Sequence, residues 1–235
     1  VKNQTALTKN VIAALDAYQY IEQAALDGSP AIAMFTGDAG LGKSKAGEYL
    51  FIETDGLLVR CCRADTHGTL LQKLANELGL EARRSKKVMQ DYIVSELAAL
   101  QKPLFIDEAD YLVNKIDVLE GIRDIYDMAN VPIILIGYAQ LPRKVKRLPQ
   151  LVSRIAQHVE FKPADMADII TMADSLLSYT EVEEQLLKEL LVVSKGNFRR
   201  IHTGLTTIER FAKSNNLSTV NSMQWAQRQF FPIIK

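Results

Sequence analysis

Gly37-Asp38-Ala39-Gly40-Leu41-Gly42-Lys43-Ser44 matches the phosphate-binding pattern G-x-x-x-x-G-K-[ST] in full. The chemistry explains the spacing. Glycines let the backbone turn tightly, so that consecutive N–H groups face a phosphate. Lys43 reaches the β and γ oxygens, and Ser44 offers its hydroxyl to Mg2+ at the start of a helix whose dipole favours anions. An accidental glycine-rich turn would need neither an apolar strand before it nor a helix after it. Both are here, in Ala31-Ile32-Ala33-Met34-Phe35 and in Ser44 to Phe51. The stretch from Gly37 to Lys45 is therefore expected to bind ATP with Mg2+. A second chemical element, Leu104-Phe105-Ile106-Asp107-Glu108, is an apolar strand ending in two acids, the form of a Walker B motif. Asp107 is expected to hold Mg2+ together with Ser44, and Glu108 to orient and polarise the attacking water. A solvated acidic turn would look the same in isolation, since Asp110 follows; the intact P-loop upstream decides for Walker B. Asp107-Glu108-Ala109-Asp110 also fits a DEAD-type helicase, but the all-helical remainder leaves no room for the second lobe that a helicase needs.

Two arginines complete the candidate catalytic set of Lys43, Glu108, Arg154 and Arg199. Arg154, in Leu151-Val152-Ser153-Arg154-Ile155, follows the fourth strand at the edge of the core, where it can reach a neighbouring subunit's γ-phosphate. Arg199, in Gly196-Asn197-Phe198-Arg199-Arg200, opens a helix from which it can sense the γ-phosphate of its own subunit. For each, position alone leaves the plain alternative of a surface arginine.

The elements that must hold these residues alternate along the chain. Thr8 to Asp27 has apolar residues at helical spacing, and Gly28-Ser29-Pro30 stops it. Strands are expected at Ala31–Phe35, Gly56–Cys62, Pro103–Ile106, Val131–Ile136 and His158–Phe161. Helices are expected at Thr69–Leu78, Lys86–Leu100 and Val118–Met128. Strands separated by helices require parallel crossovers, so the fold class is α/β: a P-loop parallel sheet flanked by helices. After Phe161-Lys162-Pro163 the strands cease. Ala164–Leu177, Glu181–Val193, Arg199–Lys213 and Ser222–Phe231 read as helices, with Thr180 and Glu183 at capping-box spacing. The expected domains are a nucleotide-binding core over residues 1–163 and a small helical lid over 164–235.

The 235 residues carry 28 basic and 28 acidic side chains, 48% hydrophobic and 24% charged. These proportions exclude a disordered tail, a collagen-like repeat and a protein that coats nucleic acid through bulk charge. The two cysteines, Cys61 and Cys62, are adjacent, so no disulfide framework exists and a reducing compartment is expected. No apolar run reaches the roughly 18–20 residues of a membrane span, and no signal-peptide core is visible. A soluble, cytoplasmic protein with no membrane partner is the expectation. The chain does not begin with Met, as for a processed or trimmed start. His67, His158 and His202 make no zinc spacing with the cysteines, and Trp225, Phe230 and Phe231 are expected to pack within the small domain.

P-loop, Walker B, an arginine after the fourth strand and Gly-x-x-Arg in a helical lid together resemble an AAA+ ATPase. Within that class the chain is similar to the MuB/TnsC/TniB group of transposition ATPases, with ExeA-type ATPases as close relatives. The telling stretches are Val11-Ile12-Ala13-Ala14-Leu15-Asp16, Phe35-Thr36 with the P-loop, and Ser153-Arg154-Ile155. The resemblance implies that Arg154 is an arginine finger acting in trans, that Arg199 is the sensor-2 arginine, and that Asn10 and Val11 border the adenine. It also implies ATP-dependent homo-oligomers or helical filaments on double-stranded target DNA, which recruit a transposase and come apart on hydrolysis. Two features depart from the family pattern. Ile136 runs into Gly137-Tyr138-Ala139-Gln140 without the polar residue expected at the end of the fourth strand, leaving Gln140 or no side chain in that role, with slow turnover. The chain also starts almost at the core, as in a compact or a trimmed member.

Neutral charge does not forbid a segregated surface. Arg83, Arg84, Lys86 and Lys87 form a basic cluster at a loop-to-helix junction, with Arg60, Arg63 and Lys73 near in sequence. Arg143, Lys144, Lys146 and Arg147 form another. Such clusters track phosphates rather than read bases, giving sequence-tolerant, salt-sensitive binding. The plain alternative is a solvated face, or one paired with acids of the next subunit. Family relatives place their DNA-facing elements between the second strand and Walker B, which favours the first cluster. Two other functions stay open: a nucleotide-switched scaffold that scarcely hydrolyses ATP, and an ExeA-like secretion-assembly ATPase.

Overall fold

The computed structural model describes residues 4–81, 85–112 and 114–232. It divides into two compact units. The larger holds residues 13–38 and 43–160; the smaller holds the described residues up to Ile12, Ala39–Gly42, and those from Phe161 onward.

Helix α1 (Lys9–Leu26) opens the chain, and its part from Ala13 belongs to the larger unit. That unit is a five-stranded sheet: β1 (Ile32–Thr36), β2 (Leu57–Arg60), β3 (Leu104–Asp107), β4 (Ile133–Gly137) and β5 (Ile155–Glu160). The strand order is β2-β3-β4-β1-β5 and every pairing is parallel. β1, β3 and β4 are buried along their whole length, which explains their unbroken apolar sequences: helices flank the sheet, and no strand face needs to be polar. β5 starts three residues earlier than expected, at Ile155, and a register shift after Ile32 skips Ala156. Arg154 precedes it directly, and its carbonyl accepts the Ile32 N–H at 3.0 Å, so the arginine's backbone is fixed to the sheet.

The crossovers are α2 (Lys43–Glu53), α3 (His67–Glu77), α4 (Lys86–Leu100) and α5 (Ile116–Ala129), followed by the short α6 (Leu141–Val145) and α7 (Pro149–Val152). Thr66 caps α3 through a capping box with Thr69. Left-handed residues Gln101 and Asn130 end α4 and α5, as asparagine and its relatives do where glycine is absent. The Tyr126 hydroxyl of α5 accepts the Ala31 N–H at 2.9 Å, and the Asn130 amide donates to Ala25 of α1 at 3.0 Å.

The smaller unit packs α8 (Met166–Leu176), α9 (Glu184–Ser194) and α10 (Phe198–Ser214) around Ile169, Leu186, Leu190, Ile201, Leu205 and Ile208. Each such side chain taken from water contributes about 1.5–3 kcal/mol. The start of α1 is held to α8: Asp168 is buried and accepts the Lys9 N–H at 2.9 Å, while Lys9 Nζ lies 2.7 Å from Asp165. Trp225, at the end of α11 (Ser222–Trp225), stacks on Phe230 and meets Phe211 edge-on, so these aromatics pack within this unit as expected.

Three local expectations fail here. Strands do not cease after Phe161: β6 (Glu181–Val182) pairs in parallel with β7 (Thr219–Val220), driven by burial of Val220 and two ladder bonds, Glu181 N–H to Ser218 and Glu183 N–H to Val220. That pairing takes Glu183 out of the helix. α9 starts at Glu184, the Thr180 hydroxyl donates to the Glu181 carbonyl, and no capping box forms. The last helix stops at Trp225 rather than Phe231, because Ala226 and Gln227 turn left-handed and bring the Arg228 carbonyl to the Trp225 indole N–H at 2.8 Å.

Candidate functional site

β1 runs out at Thr36, and α2 begins at Lys43. Between them Gly37, Gly40 and Gly42 all have positive φ, the conformation that only glycine adopts at no steric cost. The Lys43 ammonium donates 2.8 Å bonds to the Gly37 and Asp38 carbonyls and sits 5.3 Å from the centre of the Tyr138 ring. Burial lowers its pKa, against the opposing pull of Glu108, Asp110, Asp107 and Asp38. An ammonium half-buried among four carboxylates is placed to meet anionic oxygens. Lys45 is different: its ammonium lies on the surface, 2.7 Å from Glu48.

Ser44 at the start of α2 donates to Asp107 Oδ1 at 3.2 Å. Asp107, the last residue of β3, is buried. Its Oδ1 also accepts the Glu108 N–H at 2.9 Å, and its Oδ2 accepts from Arg60 Nε at 3.1 Å. Arg60 extends to Glu48 at 3.4 Å, and its pKa is raised by Asp107 first and Glu48 after. Its role was missed in the sequence, where it sits among basic residues; yet β2 and β3 run in parallel register, and Arg60 pairs directly with Asp107. Glu108 takes φ 57, ψ 38, a left-handed conformation uncommon for residues other than glycine. Such strain gathers at functional positions.

Within the smaller unit, the crest of the P-loop has its own partners. The buried Asn10 side chain donates to the Leu41 and Lys162 carbonyls at 3.1 and 2.8 Å, and accepts the Lys162 N–H at 3.1 Å. Its amide is thereby committed to the backbone. Val11 follows it, buried. Asn197, the N-cap of α10, donates to Ala39 at 2.9 Å, and the Arg199 N–H donates to the Gly40 carbonyl at 3.2 Å. A β-carbon at Gly40 would collide with the Asn197 amide, so the close approach needs glycine.

Arg154 is gripped by its own chain. Nε and Nη2 lie 2.5 and 2.8 Å from the two oxygens of Asp127 on α5, and Nη1 donates to the Gln150 carbonyl at 2.6 Å. The Asp127 bond raises its pKa.

The basic residues between β2 and Walker B part company. Lys73 is bound to buried Asp65 at 2.7 Å and to the Arg60 carbonyl at 2.9 Å, so it braces the loop after β2. Arg63 lies exposed on that loop, its carbonyl accepting from Lys115 at 2.8 Å. Lys86 and Lys87 are exposed in the first turn of α4, Lys87 pairing with Asp91 at 2.6 Å. Arg83 and Arg84 lie outside the described residues. Among the described residues no group of His, Cys, Asp and Glu has the form of a metal cluster, and no helix is long and apolar enough to cross a membrane.

A parallel sheet ordered 2-3-4-1-5, with a P-loop after its first strand and two acids at the end of the third, defines a P-loop nucleotide-binding protein of the AAA+ type. The family model described as an AAA domain matches residues 26–145, and the chain belongs to that family. It is 31% identical over 133 residues to a potential ATP-binding protein of Staphylococcus aureus, covering 51% of this chain and 46% of that one. It is 27% identical over 168 residues to the ATP-dependent target DNA activator B of Escherichia phage Mu, covering 68% and 53%. The chain thus spans about half the length of these curated relatives. In fold it is similar to the Aeropyrum pernix ORC2 protein in its ADPNP–ADP complexes: TM-score 0.77, 14% identity, 95% of this chain and 68% of that one. The Aeropyrum pernix ORC1 protein in complex with DNA gives a TM-score of 0.65 at 19% identity, over 91% and 63%.

Proposed function

We propose that this protein binds and hydrolyses ATP and uses the nucleotide to assemble on double-stranded DNA, marking a target for a transposase. The observation that carries the reading is the arrangement of Lys43, Ser44, Asp107 and Glu108 at adjoining ends of α2 and β3. The donor set fits Mg2+: a hydroxyl and a buried carboxylate, both hard oxygen ligands, stand 3.2 Å apart. When bound, that ion neutralises charge on the β- and γ-phosphates. Lys43 would exchange its two carbonyl partners for phosphate oxygens, the Gly37–Lys45 backbone would cradle the anion, and Glu108 would orient the attacking water. Arg199 would sense the γ-phosphate, and Arg154 would leave its own surface to stabilise transition-state charge at a neighbour's nucleotide. Residues 1–163 would then supply the core chemistry and 164–235 the lid, with the described residues up to Ile12, Ala39–Gly42 and Phe161–Pro163 packing with the lid's helices as one unit. The work belongs in the cytoplasm.

DNA assembly is supported by the name of the phage Mu relative and by the exposed Arg63, Lys86 and Lys87. Arg83 and Arg84 belong to the same proposed set by sequence, while Lys73 is the weakest of the set because its charge is already used. Turnover and electron microscopy of the protein with ATP, with and without duplex DNA, test the reading. Glu108→Gln should stop turnover and leave persistent DNA-bound oligomers. If no oligomer depends on both DNA and ATP, the transposition reading is wrong; if Glu108→Gln behaves as wild type, the protein is a switch rather than an ATPase.

A further inference from the structure

β4 ends in Ile136-Gly137, just before Tyr138, and neither of these last two residues carries a polar side chain. A polar group nevertheless stands there. Asp110, in the 3-10 turn Ala109–Tyr111 that follows Glu108, accepts the Tyr138 N–H on Oδ2 at 2.5 Å. The approach is close enough to dictate a neighbour: a β-carbon on Gly137 would collide with that same oxygen. Hydrogen bonds to a carboxylate are shorter and stronger than neutral ones, so this bond is a firm tie between two loops.

The tie bears on Glu108. A left-handed glutamate persists only where its surroundings over-determine it. On its N-terminal side, Asp107 Oδ1 receives the Glu108 N–H at 2.9 Å. On its C-terminal side, the Glu108 carbonyl accepts the Tyr111 N–H at 3.1 Å, and Ala109 and Leu112 are fully buried. Asp110 is the member of that turn whose side chain reaches out to the sheet. The same bond fixes the backbone of Tyr138, whose ring stands over the Lys43 ammonium.

From this geometry we infer that Asp110 is a positioning residue for hydrolysis, tying the Glu108 turn to the end of β4 in place of the side chain that β4 lacks. The inference rests on the reading of Glu108 as the group that orients water. Asp110 acts through Glu108: its bond to the Tyr138 N–H fixes the distance between the Glu108 turn and the β4 end.

Three variants test it, with ATP turnover and the binding of a fluorescent ATP analogue measured on the assembled, DNA-stimulated protein. Asp110→Ala removes the acceptor. Gly137→Ala keeps Asp110 but forces the carboxylate off. Asp110→Asn keeps an amide oxygen that can accept the Tyr138 N–H. Misplacement by a fraction of an ångström is expected to lower kcat about 10- to 100-fold in the first two. KM and analogue affinity should stay within about twofold in all three, and Asp110→Asn should recover most of the rate. Thermal melting confirms that each variant is folded. A normal kcat in Asp110→Ala overturns the inference, as does a parallel loss of nucleotide affinity, or an Asp110→Asn as slow as Asp110→Ala. Glu108→Gln, run beside them, separates the two levels: if it turns over normally, the hydrolysis reading falls; if it is dead while Asp110→Ala is normal, only the positioning role falls.

Discussion

Asp127→Asn tests how Arg154 is held and released. In the isolated chain the Arg154 fork makes both its paired bonds to Asp127, and Nη1 is shared between Gln150 and Ser153 Oγ at 3.1 Å. A guanidinium has five N–H groups, and four are spoken for. With one N–H to spare, Arg154 cannot engage a neighbour's phosphate with two bonds until one of these partners lets go, and Asp127 is the charged one. The side chains are 30% and 36% exposed, so water competes for both partners and the pair is worth about 0.2–1 kcal/mol. That is small beside a phosphate's pull, and it sets the scale of the experiment. Removing the charge while keeping the shape should lower the protein concentration for half-maximal ATPase by about 1.4- to fivefold. Maximal turnover per subunit should not change, and the melting temperature should move by no more than a few degrees. On an Arg154→Ala background the shift should vanish. ATPase rate titrated against protein concentration at fixed ATP and DNA measures all of this. A lower maximal rate in Asp127→Asn would mean that Asp127 aims Arg154 rather than restrains it. An unmoved midpoint would mean that the pair does not open on assembly.

Other consequences can be checked independently. Asn10→Ala strips the Leu41 and Lys162 carbonyls of a buried donor and should cost about 1–3 kcal/mol in urea unfolding, with nucleotide affinity falling alongside. Glu209 is buried, which by itself opposes its charge, yet bonds from the Ser178 N–H and hydroxyl help to hold its pKa at about 2. Its folded value lies below the ordinary 4.5, so the stability it lends is complete above that pH and drains away as pH falls toward 2. Acid unfolding of Glu209→Gln should lose that part of the pH dependence. Replacing Lys86 and Lys87 with Ala should flatten the plot of log affinity for duplex DNA against log salt by about 0.9 for each phosphate that is no longer neutralised. Lys73→Ala should instead lower the melting temperature and leave the slope alone, because its ammonium already serves Asp65.

The chemistry that could be read in the sequence was the chemistry written locally. Gly37 to Ser44 and Leu104 to Glu108 are continuous runs whose backbone form follows from their own residues, and their strands were plain because β1, β3 and β4 are buried on both faces. What escaped was whatever depends on partners far along the chain. Arg60 meets Asp107 across 47 residues, and Arg154 meets Asp127 across 27. Each is decided by strand register or helix docking, which no local pattern encodes. The strand at Glu181 was hidden for a related reason: two residues of ladder are too short for a period, and the charged run beside them reads as helix. Asp110 was visible only as an acid trailing a motif; its reach to Tyr138 follows from the order of β3 and β4.

The division of the chain has a practical corollary. Its two units exchange the polypeptide at Ile12, Asp38, Gly42 and Glu160, so neither is one uninterrupted stretch. A gene fragment covering 161–235 would leave Asp168 without Lys9 and Asn197 without Ala39. A fragment beginning at Ala13 would leave Leu41 and Lys162 without Asn10. Neither half can be transplanted or expressed as a module with its internal bonds intact. The helical part is better regarded as a discontinuous fold assembled from three separate stretches: the residues up to Ile12, the crest of the phosphate loop, and those from Phe161 onward.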